Sequence, residues 1–160
     1  MPTQPMIRTA APADVPAIAS LIRALAEYEK LSADVVLNES KLSDHLFGKR
    51  PYAECLIAEA NGVTVGFALF FHNYSTFLSQ PGIYLEDLFV LPDHRGAGHG
   101  KALLKAIGRL AIERECGRIE WSVLDWNAPA IGFYESLGAK PVDGWTVYRM
   151  TGESISMLAE

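Results

Sequence analysis

Apolar residues recur at helical spacing through Val15, Ile18, Leu21, Ile22 and Leu25, behind Ala11-Pro12-Ala13-Asp14, which has the marks of a helix start. The spacing predicts a helix to about Tyr28, preceded by a short strand at Ile7 and Arg8. A second, shorter helix is expected from Glu39 to Phe47, stopped by Gly48 and set apart by Pro51. The pattern then changes to that of strands: "AECLIAEA" and "VTVGFALFFHNY" flank Asn61-Gly62, a strong signal for a tight hairpin. A loop from Ser75 to Gly82 should lead into the strand "YLEDLFV", Tyr84 to Val90. After a break at Pro92 to Gly100, Leu103, Leu104, Ile107, Leu110 and Ala111 mark one face of a helix over Lys101 to Glu115. "RIEWSVLDW" reads as a strand, Ala128 to Leu137 as a helix opened by Asn127 and closed by Gly138, and "GWTVYRM" as a final strand. The order β, α, α, β, β, β, α, β, α, β describes an α/β (α+β) fold, a mixed sheet with helices on both faces. No linker divides it, so residues 1–160 are expected to form a single domain with loose ends at 1–5 and 152–160.

Composition narrows the function. At 160 residues, 49% hydrophobic and 21% charged, the chain suits one compact core. Its longest apolar stretch, Phe67 to Phe71, is too short to span a bilayer, and no apolar run follows a basic start, so a cytoplasmic protein with no membrane partner is expected. Cys55 and Cys116 stand far apart without a second ligand at metal spacing, which argues for buried thiols and no metal. A net charge of −5 speaks against nucleic acid. That charge is uneven: up to His94 six Lys or Arg face eleven Asp or Glu, whereas the remainder balances at eight and eight. Such an acidic half would favour a cationic ligand.

Two stretches carry candidate chemistry. In "YLEDLFV" Glu86 and Asp87 are neighbours on a strand, so they point to opposite faces and at least one should enter an interior or cleft, where a carboxylate is partnered or functional. Directly after it, a glycine-rich turn opens a helix, an arrangement whose backbone N–H groups and dipole favour an anion such as phosphate. The P-loop spacing fails, since Arg95 stands where its first Gly belongs and Ala102 where its Ser or Thr belongs. The dinucleotide spacing G-x-G-x-x-G fails as well, with Lys101 and Leu103 at the third-glycine positions. None of His45, His72, His94 and His99 pairs in sequence with a Cys or Ser to suggest a triad, and Trp121, Trp126 and Trp145 are expected in the core.

What remains, Arg95-x-x-Gly98-x-Gly100 followed by "LDWNAPAIGFYESLGA", resembles the pyrophosphate loop and later segment of the GCN5-related N-acetyltransferase (GNAT) superfamily. With "IRTAAPAD", "ALAEYE" and "YLEDLFV" the resemblance covers nearly the whole chain and points to the diamine (spermidine/spermine) acetyltransferase branch, "NYSTF" and "LDWN" looking most like its thialysine-type member. One departure is that Ser75 to Gly82 contains no Asp or Glu, whereas the spermidine/spermine enzyme has an acidic residue there that contacts the polyamine; Thr76 stands near that place.

The resemblance implies a GNAT fold with a mostly antiparallel sheet, acetyl-CoA as co-substrate, and an acetyl group moved to the primary amine of a small diamine, polyamine or thialysine/lysine-like amino acid. It implies Glu86 as base, Asp87 as the group that orients the amine, with the two roles exchangeable, and Tyr134 as the acid that protonates the thiolate. Tyr28 and Glu29 would border the amine. Leu88, Phe89 and Val90, the loop Arg95, Gly96, Ala97, Gly98, His99, Gly100 and Lys101, and Asn127 with Tyr134 would hold the donor. Homodimers are common in this branch. A protein or antibiotic amine as acceptor, or a sensor that binds acetyl-CoA without chemistry, remain alternatives on the same motifs.

Overall fold

The computed structural model describes residues 4–160. Five strands form one sheet in the order of the chain: β1 (Met6–Thr9), β2 (Glu54–Ala60), β3 (Val63–Ser75), β4 (Gln80–Val90) and β5 (Ile119–Glu120). Neighbours pair antiparallel from β1 to β4, and β5 joins β4 in parallel. The helices are α1 (Val15–Tyr28), α2 (Glu39–Phe47), α3 (His99–Glu113), α4 (Ala128–Ser136) and α5 (Glu153–Leu158). The chain divides into two compact units, Met1–Ser122 and Val123–Glu160. The first contains the sheet and α1 to α3, the second α4 and α5.

Strand alternation gives the sheet two apolar faces. On one, Leu56, Ala58, Ala68, Phe70, Ile83, Leu85 and Val90 pack with Leu103, Ile107 and Ala111 of α3. On the other, Ile57, Phe67 and Phe89 pack with Ile18 and Leu21 of α1 and Leu46 of α2. The β2–β3 turn is the expected one: Asn61 and Gly62 have φ of 51° and 76°, the left-handed pair a tight hairpin requires. Arg8 ties β1 to this layer, bonded to Asp14 at the start of α1 and to Glu59 of β2.

Several expected boundaries move. β3 runs to Ser75 and β4 starts at Gln80, so the loop of eight residues contracts to a four-residue hairpin connection at 76–79. α3 begins at His99, inside the glycine turn. Only Ile119 and Glu120 of "RIEWSVLDW" find ladder partners. The segment "GWTVYRM" forms no strand, because a strand exists only through pairing and none is made there. Trp145 is 80% exposed and Trp126 49%, so of the three tryptophans only Trp121 packs against the core. Cys55 is buried but Cys116 only half-buried. The C-terminal residues expected to be loose contain α5, and residues 1–3 lie outside the described part. No helix among the described residues is long and apolar enough to cross a membrane.

Candidate active site

The centre of the site is an irregularity in β4. In the β3–β4 ladder Leu69 pairs with Asp87 and Phe70 with Leu85, so Glu86 is one extra residue, a β-bulge. Its consequence is a change of face. Leu85 packs on the α3 side, and simple alternation would put Asp87 there too; with Glu86 inserted, Asp87 instead shares the α1 side with Phe89. Glu86 itself is left exposed, while Asp87 is half-buried. Burial, reinforced by the charges of Glu86 and Glu29, pushes the Asp87 carboxyl up to about 6.

Glu29 reaches this place because of how α1 ends. Leu31 N–H bonds to Ala26 O at 2.8 Å and Lys30 N–H to Glu27 O at 3.1 Å, a Schellman closure with Lys30 left-handed at φ 62°. Tyr28 is thereby the last helical residue and Glu29 its cap, both half-buried. A carboxylate at the negative end of a helix is poorly placed for stability. Burial raises the Glu29 carboxyl above its ordinary value.

Beside the acids, β4 has an open edge. Its parallel pairing with β5 covers Ile83 and Tyr84 alone, so among the described residues Leu88, Phe89 and Val90 have no ladder partner on that side. The glycine turn follows. Gly98 caps α3 with φ 86°, a conformation that favours glycine, and as the N-cap residue it brings no side chain to the first-turn N–H groups. Gly96 also has positive φ, and Gly96, Ala97 and Lys101 are exposed. His99 is 5% exposed and lies at helical spacing with Leu103, Ile107 and Ala111, all buried. Its side chain thus belongs to the interior face, leaving its backbone N–H to the turn.

Arg95 is exposed, yet one side of its guanidinium is engaged. Its Nε donates to Val90 O at 2.9 Å, and its guanidinium carbon lies 4.7 Å from the Tyr28 ring centre and 5.3 Å from that of Phe89. The first unit therefore gathers Tyr28, Glu29, Glu86, Asp87, the edge 88–90 and the turn 95–101. Asn127 and Tyr134 belong to the second unit, at opposite ends of α4. Asn127 is its buried N-cap, accepting from Ala130 N–H at 3.4 Å, and the Tyr134 ring lies 5.6 Å from that of Phe133.

The profile described as acetyltransferase (GNAT) family matches residues 18–139. The chain belongs to the GNAT family of acetyltransferases. Thialysine N-epsilon-acetyltransferase of Bos taurus is 39% identical over 96% of each chain. L-ornithine N5-acetyltransferase of Arabidopsis thaliana is 33% identical over 95% of this chain and 86% of its own. Among solved structures, an integron cassette protein from the mobile metagenome of V. cholerae shares the fold with a TM-score of 0.81 at 24% identity, covering 99% of each chain. The protein is an N-acetyltransferase.

For this GNAT chain two structural features of the candidate site were not foreseen from the sequence. The stacking of Arg95 on Tyr28 and Phe89 joins residues 67 and 6 positions apart in the chain, and no local pattern encodes it. The inward turn of His99 was legible, because 99, 103, 107 and 111 follow the α3 core stripe.

Proposed function

We propose that the protein uses acetyl-CoA to acetylate the primary amine of a small cationic substrate, a diamine, polyamine or an amino acid of the thialysine, lysine or ornithine kind. The observation that carries this reading is the half-buried Asp87 on the bulge, poised at about 6 with Glu29 and Glu86 as its charged neighbours. A compact group of carboxylates attracts an ammonium, and one that titrates near neutrality can also take its proton. This supports exchanging the two roles read from sequence: Asp87 accepts the proton and exposed Glu86, with Glu29, orients the cation.

The donor's features match the rest. The open edge at 88–90 offers backbone N–H groups to an extended arm and to the thioester carbonyl, as an oxyanion-type donor would. The uncapped start of α3 and its glycine turn suit a pyrophosphate. In the proposed reaction one ammonium proton passes to Asp87 and the nitrogen bonds to the acetyl carbon; the carbon–sulfur bond breaks, Tyr134 protonates the thiolate, and the nitrogen's second proton is given up in restoring the tyrosine hydroxyl. Asn127 is assigned to the donor arm. A homodimer is part of the same reading, supported by the exposed Trp145, Val147, Tyr148 and Met157 of the second unit; light scattering checks the stoichiometry.

Thiol release from acetyl-CoA with spermidine, putrescine, 1,3-diaminopropane, thialysine, lysine, ornithine, an aminoglycoside and a short peptide tests the proposal. Turnover with a small amine is the expected result. Turnover with the peptide or aminoglycoside alone, or coenzyme binding with no turnover on any of them, would overturn it.

A further inference from the structure

An arginine beside a glycine turn is expected to reach for phosphate, yet the Arg95 side chain is committed elsewhere. Three contacts hold it: the Val90 carbonyl at 2.9 Å, the Tyr28 ring at 4.7 Å and the Phe89 ring at 5.3 Å. The two rings are themselves 6.3 Å apart and tilted by 48°, so the guanidinium joins an aromatic pair that spans α1 and β4. Tyr28 is the last residue of α1 and Glu29, whose charge bears on Asp87, comes next. Arg95 is also one residue before Gly96, where the turn begins its left-handed conformations. A single side chain therefore connects the proposed donor turn to the wall that carries the proposed acceptor carboxylate. Its charge also lies at the C-terminal end of α1, where a cation is favoured.

We infer that Arg95 is a positioning residue that couples occupancy of the glycine turn to the placement of Tyr28 and Glu29. The inference rests on the proposed function and adds a property to it: the donor, once bound at 96–101, fixes the Arg95 backbone, Arg95 fixes the Tyr28 ring, and the acceptor side is ordered as a result. Linkage makes the effect reciprocal, so donor and amine bind with positive cooperativity. A cation–aromatic contact of this kind limits the coupling to about three- to tenfold in affinity. Lysine cannot substitute, since only the planar guanidinium both stacks on the rings and donates Nε to the carbonyl.

The test is amide hydrogen exchange on the full chain with and without coenzyme A. In the unmodified protein coenzyme A should slow exchange at 96–101 and also at 28–31. Arg95→Lys should keep the protection at 96–101 and lose it at 28–31, and reciprocity requires both the amine affinity at saturating coenzyme and the coenzyme affinity at saturating amine to weaken about three- to tenfold. Tyr28→Leu, which approaches the contact from the other side, should uncouple the two segments in the same way, and Tyr28→Phe should keep them coupled. Equal protection at 28–31 in Arg95→Lys, or a loss confined to donor affinity, would overturn the inference while leaving the enzyme reading intact. Absence of protection at 96–101 in the unmodified protein would remove both.

Discussion

Asp87→Asn should make the protein more stable and less active, with the stability gain confined to one pH range. Burial beside Glu86 and Glu29 moves this carboxyl from 3.8 to about 6. Moving it that far corresponds to about 3 kcal/mol, as an order of magnitude. The sign follows from which state binds the proton. Below 3.8 the group is protonated folded and unfolded alike, and it contributes nothing to the pH dependence. Between 3.8 and about 6 the unfolded chain ionises first, so stability falls as pH rises; above that the loss is complete and constant. The neutral asparagine avoids the loss. Urea unfolding at pH 4 and pH 8 measures it: the variant should exceed the unmodified protein by only about 0.5 kcal/mol at pH 4 and by up to about 3 kcal/mol at pH 8. In thermal melts at pH 8 the gain corresponds to about 6–12 °C. Acetyl transfer should fall about a hundredfold or more, as expected when a general base is removed. An equal gain at both pH values, or none at either, would refute the assignment of a buried, repelled carboxyl to Asp87.

Other outcomes separate the remaining roles. In kcat/KM profiles the rate should rise with pH through about 6, and Glu86→Gln should move that limb to lower pH by removing a repelling charge; disappearance of the limb would make Glu86 the base instead. Tyr134→Phe should lower turnover about a hundredfold with coenzyme affinity, read by calorimetry, kept; an unchanged rate would dismiss it as the acid. Gly66→Ala should destabilise by about 1–3 kcal/mol, because its Cβ would come within 2.8 Å of the Phe89 carbonyl oxygen; a chemical melt within 0.5 kcal/mol of the parent, about the scatter of a neutral substitution, would contradict that close approach.

Where local pattern determines an element, the chain could be read directly. The apolar stripe of α1, the Asn61-Gly62 turn and the glycine start of α3 all depend on residues a few positions apart, and each is present. The strand expected at 144–150 depends on a partner strand, which its own alternation cannot supply, and there the expectation failed. The acidic pair lies between these cases. Alternation correctly required Glu86 and Asp87 to part company, one outward and one inward. Which of them turned inward depended on the register against β3, and on Glu29 arriving from a helix end far away in sequence. The Arg95 contacts were invisible for the same reason.

The extra residue in β4 means that its two halves run out of step, Ile83 and Leu85 keeping odd-numbered positions for the α3 core while Leu88 and Val90 keep even ones. Removing Glu86 would not simply delete one acid. It would bring the halves back into step with every apolar side chain still on its own core: Asp87 would follow Leu85 directly, the two pairing with Leu69 and Phe70 in unbroken alternation, and the local kink that a bulge gives the strand would be lost. The ladder has room for a strand one residue shorter at this point, so the extra residue serves the irregular backbone beside the acids and neither of the two cores.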